Sequence, residues 1–313
     1  MRMMRKILLG TLLLAMTTGC GARMAAADGS ERGGGMFGLR SMMGAFSDDD
    51  GGGDVKLPAG VRVERDISYG PDPKQRYDVY RRAGSERAAP VIVMVHGGAW
   101  MYGDKASGGI VNNKVARWVP KGYVFVSVNY PLSPQANPVE QARNVAKAMA
   151  QIQSTASSWG GDPDRVLLMG HSSGAHLVAL IAASPAIAEE AGVKPWLGTV
   201  ALDSAAMDVP SIMNRRHYRF YDKVFGDDPS LWRRASPIDQ LSGKPRPIML
   251  VCSSERDDSC PQANKFAAKI DALGGKVRVY PVALKHKQIN ENLGTDEAYT
   301  GAVETFMRTL GLP

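Results

Sequence analysis

The segment Gly170-His171-Ser172-Ser173-Gly174 is a G-x-S-x-G pattern, which makes Ser172 a candidate nucleophile. Glycine on either side lets the backbone turn sharply from strand to helix, exposing the Ser172 hydroxyl and leaving the Ser173 amide available as a donor. A serine hydroxyl attacks a carbonyl only when a base takes its proton and a third group fixes that base. Five histidines are available. His171 and His176 lie too close to Ser172 in the chain to curl back onto it, His96 opens a glycine loop, and His217 sits in an irregular stretch. His286 follows the last strand-like run, where a loop at the C-terminal edge of a sheet returns it to the serine, and it is the candidate base. The order serine, acid, histidine confines the orienting carboxylate to the chain between Ser172 and His286. Asp257 and Asp258 follow the apolar run 248–251, whereas Asp203 ends the preceding strand and Asp208 lies just beyond it. Position favours the first pair.

Attack on a carbonyl also needs amides aimed at the developing oxyanion. Ser173 supplies one. The others are expected from His96-Gly97-Gly98-Ala99-Trp100, where Gly97 and Gly98 directly follow a buried strand and let backbone N–H groups approach a substrate unobstructed. Trp100 either lines the pocket or packs beneath this loop.

These residues need a scaffold, and the hydropathy pattern supplies one. Residues 61–69 and 77–81 read as opening strands around the turn Gly70-Pro71-Asp72-Pro73. A continuous apolar run at 91–95 is of the kind a doubly covered strand shows, 123–128 and 166–169 read as further buried strands, and 197–202, 248–251 and 277–282 read as strands. Helical spacing appears at 110–119, from Asn137-Pro138 to Trp159, after the serine, and at 261–273 and 296–310. Strand and helix in alternation predict a mostly parallel sheet with helices on both faces. Residues 204–244 are rich in arginine and aromatics and have no clean period. They read as a small cap over the pocket, its wall suited to an aromatic or carbohydrate-linked acyl group, or else as a solvated arginine face over an aromatic core.

The chain has 313 residues, 44% of them hydrophobic and 22% charged, enough for one large domain plus appendages. Its formal charge is +7, and removing Arg2, Arg5 and Lys6 leaves +4, too mild and dispersed to suggest nucleic acid. Those three residues open a stretch of secretory type, residues 1–20, whose apolar run from Ile7 to Met16 is too short to span a bilayer. Thr17-Thr18-Gly19-Cys20 resembles a bacterial lipobox without its usual leucine, so lipidation of Cys20 is expected, with cleavage after Ala25-Ala26-Ala27 as the competing reading. Either route exports the protein, as a lipid-anchored protein in the first case and a soluble one in the second. Residues 21–57, with two Gly-Gly-Gly runs and Asp48-Asp49-Asp50, read as a flexible tether before a folded domain at 58–313. Export leaves Cys252 and Cys260 in an oxidising compartment that permits them to pair. No cluster with metal-ligand spacing appears, so neither metal nor organic cofactor is expected.

From about residue 60 onward the chain resembles α/β-hydrolases of the carboxylesterase kind, related to the bifunctional feruloyl and acetyl xylan esterases. The hormone-sensitive-lipase and kynurenine formamidase groups are more distant relatives. The resemblance is carried by Tyr69-Gly70, Gln75, Asp78-Val79-Tyr80, His96 through Trp100, Gly103-Asp104-Lys105, Asn129-Tyr130, Leu132-Ser133-Pro134, Gly161-Asp162-Pro163-Asp164-Arg165, the serine segment and Ser236-Pro237-Ile238. The family carries its aspartate four residues before a helix-opening proline. The resemblance therefore implies Asp257, before Pro261, as the acid, with Asp258 as fallback, and sets His286 in a His-x-x-Ile-Asn loop. Cys252-Ser253-Ser254 stands where His-Gly is usual, and Pro131 where an arginine is usual. The resemblance implies a serine esterase acting on a small-molecule or carbohydrate-linked ester. The alternatives are a formamidase or amidase using the same residues, and a non-catalytic binding lipoprotein on a hydrolase scaffold.

Overall fold

The computed structural model describes residues 53–84 and 88–313. The secretory segment, Cys20 and most of the expected tether lie outside the described residues. The tail of that tether, residues 53–57, lies on the domain: the Gly108 amide donates to the Gly53 carbonyl at 3.0 Å, the Lys56 amide donates to Asn112 Oδ1 at 2.8 Å, and Val55 and Leu57 pack on the core.

Eight strands form one sheet: β1 (Val61–Ser68), β2 (Arg76–Arg82), β3 (Ala89–Val95), β4 (Val124–Val128), β5 (Gly161–His171), β6 (Gly198–Leu202), β7 (Ile248–Ser253) and β8 (Val277–Val282). Their spatial order is β1-β2-β4-β3-β5-β6-β7-β8, antiparallel through the first two pairings and parallel from β4 onward. Helices α1 (Gly108–Trp118), α2 (Pro138–Thr155), α3 (Ser173–Ala183), α4 (Pro185–Glu190), α9 (Ser259–Ala272), α10 (His286–Glu291) and α11 (Glu297–Thr309) accompany them. Residues 209–240 form four short helices, α5 (Val209–Met213), α6 (Arg219–Phe225), α7 (Pro229–Arg234) and α8 (Pro237–Gln240), within the stretch that shows no period.

The apolar strand runs alternate between two cores, because successive side chains of a strand point to opposite faces. On β3, Val91, Val93 and Val95 join the core built with α2, α3 and α9, while Ile92 and Met94 join the core built with α1 and α11. On β5, Val166 and Leu168 face the first core, and Leu167 and Met169 the second. Helix α2 starts where the sequence places it. Asn137 Oδ1 accepts the amides of Val139 and Glu140 at 3.0 and 3.1 Å, and Glu140 returns a bond to the Asn137 amide at 2.8 Å. Such a capping box contributes about 1 kcal/mol.

Several of the motif residues that carry the resemblance form a scaffold beneath the glycine loop after β3. Lys105 is buried and pairs with Asp78 at 2.7 Å and Asp66 at 2.8 Å. Asn129 donates to Asp104 Oδ2 at 2.8 Å and accepts the Lys105 amide at 2.7 Å. Tyr130 stacks on His96 and donates to its carbonyl at 2.9 Å. A lone charge at Lys105 or Asp78 would be costly to bury, so this pairing makes the loop's exit from the sheet strongly specified.

Candidate active site

Strand β5 ends in the expected elbow. Ser172 has φ 55° and ψ −118°, a backbone geometry L-residues rarely adopt, and α3 begins at the next residue. Both flanking glycines are required by contact. A Cβ on Gly170 would lie 2.4 Å from the Gly174 carbonyl oxygen, and one on Gly174 would lie 2.3 Å from that of Val95. The elbow is therefore wedged against the end of β3, beside the glycine loop.

His286 reaches the serine as expected. Ser172 Oγ lies 2.9 Å from His286 Nε2, and His286 opens α10, which is anchored by the buried Ile289 and Asn290 of the His-x-x-Ile-Asn pattern. Lys114 from α1 donates to the Asn290 carbonyl at 2.7 Å and to its Oδ1 at 2.8 Å, holding the far end of that helix. His171, set aside as a base, supports the imidazole instead: its ring lies 4.7 Å from that of His286, and its Nε2 donates to the His286 carbonyl at 3.1 Å.

The carboxylate on His286 is not the one the resemblance implies. Asp203 Oδ2 lies 2.5 Å from His286 Nδ1, a distance that requires a proton between the two atoms. With Nδ1 protonated, Nε2 presents a lone pair to Ser172, the tautomer that general-base chemistry needs. Asp203 is the residue after β6, has φ 57°, and is fully buried. Its Oδ1 accepts the Ser253 amide at 2.7 Å and the Ser259 hydroxyl, and its Oδ2 also accepts Arg256 Nη1 at 2.9 Å. Burial works against its ionisation, but the bond and charge of His286, then Arg256 and Ser259, outweigh it and hold the carboxyl well below the usual carboxylate range. Asp257 is exposed, on the turn before α9, and Asp258 pairs with Arg256 Nη2 at 3.1 Å. The physical reason is burial: β6 delivers a carboxylate directly beneath the imidazole, while the loop after β7 delivers Arg256 there and turns Asp257 outward. Sequence reasoning weighed Asp203 and ranked it second. The available signal was its place immediately after the strand that follows the elbow helix.

Cys252 and Cys260 are disulfide-bonded, joining the end of β7 to the first turn of α9 and closing the loop that carries Arg256.

A cavity of about 270 Å³ opens over Ser172. Ala99 and Trp100 wall one side, next along the chain from Gly97 and Gly98, with Ser173 beside the serine. Gly98, Ala99 and Trp100 all have positive φ, and a Cβ on Gly98 would strike the Tyr102 carbonyl oxygen at 2.4 Å. Tyr218, Phe220 and Tyr221 at the start of α6 add an aromatic part to the lining, and Arg256 and Asp258 a polar one. Trp100 lines the cavity and also packs: its ring meets Phe220, Tyr221 and Phe225, and its indole donates to His176 Nδ1 at 3.1 Å. His176 Nε2 in turn donates to the Ala235 carbonyl at 2.7 Å, and burial pushes the imidazole down to about 4. This histidine is therefore a neutral tie between α3 and the cap. Among the described residues no group of three or more His, Cys, Asp or Glu side chains could hold a metal ion.

A parallel sheet in this strand order, with a serine elbow after β5 and a histidine after β8, defines an α/β-hydrolase. Residues 77–270 match the BD-FAE family model, and the chain belongs to that family. It is 31% identical to Esterase LipQ of Mycobacterium tuberculosis, over 69% of this chain and 54% of that protein. It is 27% identical to the isoprenylcysteine alpha-carbonyl methylesterase ICME of Arabidopsis thaliana, over 70% of this chain and 55% of that protein. The chain thus spans about half the length of these relatives. The fold is shared with esterase B from Lactobacillus rhamnosis, with a TM-score of 0.69 at 22% identity, covering 88% of this chain and 92% of that one.

Proposed function

We propose that this protein is a serine carboxylic-ester hydrolase working through an acyl-enzyme, with Ser172 as nucleophile, His286 as base and Asp203 as the orienting acid. The observation that carries this reading is the unbroken run from Asp203 Oδ2 through His286 to Ser172 Oγ, at 2.5 and 2.9 Å. As Ser172 Oγ bonds to the ester carbon, its proton passes to Nε2, and Asp203 stabilises the resulting imidazolium without taking the proton. The oxyanion is held by the Ser173 amide and by amides of the loop at Gly97, Gly98 and Ala99. When the tetrahedral centre collapses, the carbon–oxygen bond to the alcohol breaks and Nε2 returns the proton to the leaving oxygen. Water then repeats the sequence on the acyl-enzyme: its proton goes to Nε2, its oxygen bonds to the acyl carbon, and Ser172 leaves with the proton restored.

The substrate class is a small ester whose apolar or aromatic part lies against Trp100, Phe220 and Tyr221. A panel of aryl acetates, longer acyl esters, acetylated xylan, feruloyl esters and a formanilide, run on the wild type and on Ser172→Ala, tests this reading. Turnover of esters by the wild type alone is expected. Equal inactivity of both proteins on every ester and amide would remove the enzyme reading, and a strong preference for the formanilide would replace the esterase with a formamidase.

Export with a lipid on Cys20 is part of the same proposal and rests on the N-terminal sequence. Mass spectrometry of the mature N-terminus is expected to find a diacylglyceryl-modified Cys20. An unmodified N-terminus beyond residue 27 would overturn it.

A further inference from the structure

The cavity contains one cation that the acyl-transfer steps do not use. Arg256 sits on the disulfide-closed loop after β7, and its Nη1 lies 2.8 Å from His286 Nδ1 and 2.9 Å from Asp203 Oδ2. Nδ1 already carries the proton it shares with Asp203, so the guanidinium does not hydrogen-bond to it. The contact is instead one of charge, a fixed cation against the edge of a ring that becomes cationic during reaction.

Resting on the proposed triad, we infer that Arg256 is a positioning and tuning residue. It holds Asp203 Oδ2 in line with the imidazole and lowers the basicity of His286, so that the base stays unprotonated to lower pH than the buried carboxylate alone would allow.

The other groups around the imidazole leave this role to Arg256. Asp203, from the end of β6, raises the basicity of His286. Asp258, on the same loop as Arg256, is held to Arg256 Nη2 at 3.1 Å and so acts on the ring through it. His171 from β5 contacts the ring face, and the Tyr221 phenol of α6, which burial keeps protonated, lines the cavity. Lys285 and Lys287 flank His286 on its own segment, where Lys285 is exposed and Lys287 reaches Glu291 at 3.8 Å. Arg256 is fixed on both sides: Asp203 and Asp258 take separate guanidinium nitrogens, and the Cys252–Cys260 bridge closes the backbone around it. Removing it shifts every remaining influence in one direction, since a cation leaves the ring edge and two carboxylates lose their counter-charge.

The test is a proton NMR titration of the His286 imidazole in the wild type, Arg256→Met and Arg256→Lys, with kcat/KM against pH measured in parallel and Lys287→Gln as a surface-charge control. Arg256→Met is expected to raise the imidazole pKa by about one pH unit and to move the acid limb of kcat/KM upward by the same amount. Arg256→Lys and Lys287→Gln are expected to stay within a few tenths of a unit of wild type. An unchanged imidazole pKa in a folded Arg256→Met or Arg256→Gln protein would overturn the inference, as would a Lys variant that moved as far as the Met variant. A shifted imidazole in a protein that turns over no ester would keep the inference and remove the esterase reading.

Discussion

Two neighbouring strand ends reach toward His286, and they use their acidic residues in opposite ways. After β6, the chain places Asp203 fully out of water, with the Ser253 amide, Ser259, Arg256 and His286 all directed at its two oxygens. After β7, it makes a short turn closed by a disulfide, exposes Asp257, and uses Asp258 to hold an arginine. The difference shows that the position of the acid in the chain is not what the chemistry selects. A carboxylate must lie at one point in space next to Nδ1, and both strands of a parallel pair end close enough to supply it. Which one does so is decided by which side chain can be buried there with its partners satisfied.

The comparison can be broken most severely at the serine that both regions serve. Ser172→Ala is expected to lower kcat at least about 10⁴-fold with the fold intact by circular dichroism, because it removes the hydroxyl that lies 2.9 Å from His286 Nε2. The β7 side can be loosened through its bridge. Replacing Cys252 and Cys260 with serine is expected to destabilise the protein by about 2–3 kcal/mol in urea unfolding, the loop-closure contribution of so short a ring. It should also lower kcat less than any change at Asp203.

Acid separates the β6 carboxylate from the rest of the fold. His176, at about 4 when folded against 6.5 when unfolded, binds fewer protons in the native state, so its contribution to stability is complete above pH 6.5 and is lost as pH falls through 4. The loss amounts to about 3 kcal/mol. Asp203 has a folded value below its unfolded one, so its contribution is complete above about pH 4 and falls only below it. Urea unfolding between pH 7 and 4 should therefore weaken in the wild type and flatten in His176→Asn. Smaller again, Asp258→Asn leaves Asp203 in place and is expected to change kcat only a few-fold through a less firmly held Arg256.

Much of this was legible in the sequence because it rests on short-range pattern. The elbow and the glycine loop each follow an apolar strand run directly, His286 follows the last strand within a few residues, and the alternation of Val91 to Val95 between two cores is the reason that run is continuous. The Asn137-Pro138 start and the strand at 277–282 were equally plain. The four cap helices were not, because each spans at most seven residues, too few for a helical repeat to register. Asp203 was visible as a candidate but not as the choice. Its selection depends on the Ser253 amide, Ser259 and Arg256 converging from 50 or more residues away, and no local pattern encodes that.

The central claim is tested most directly by kcat for two single variants, Asp203→Asn and Asp257→Asn, on one activated ester. The account predicts a loss of about 10³ to 10⁴-fold for Asp203→Asn, because an amide presents the wrong partner to Nδ1 and destabilises the imidazolium, and a change within about twofold for Asp257→Asn. A large loss at Asp257 with Asp203→Asn near wild type would contradict it.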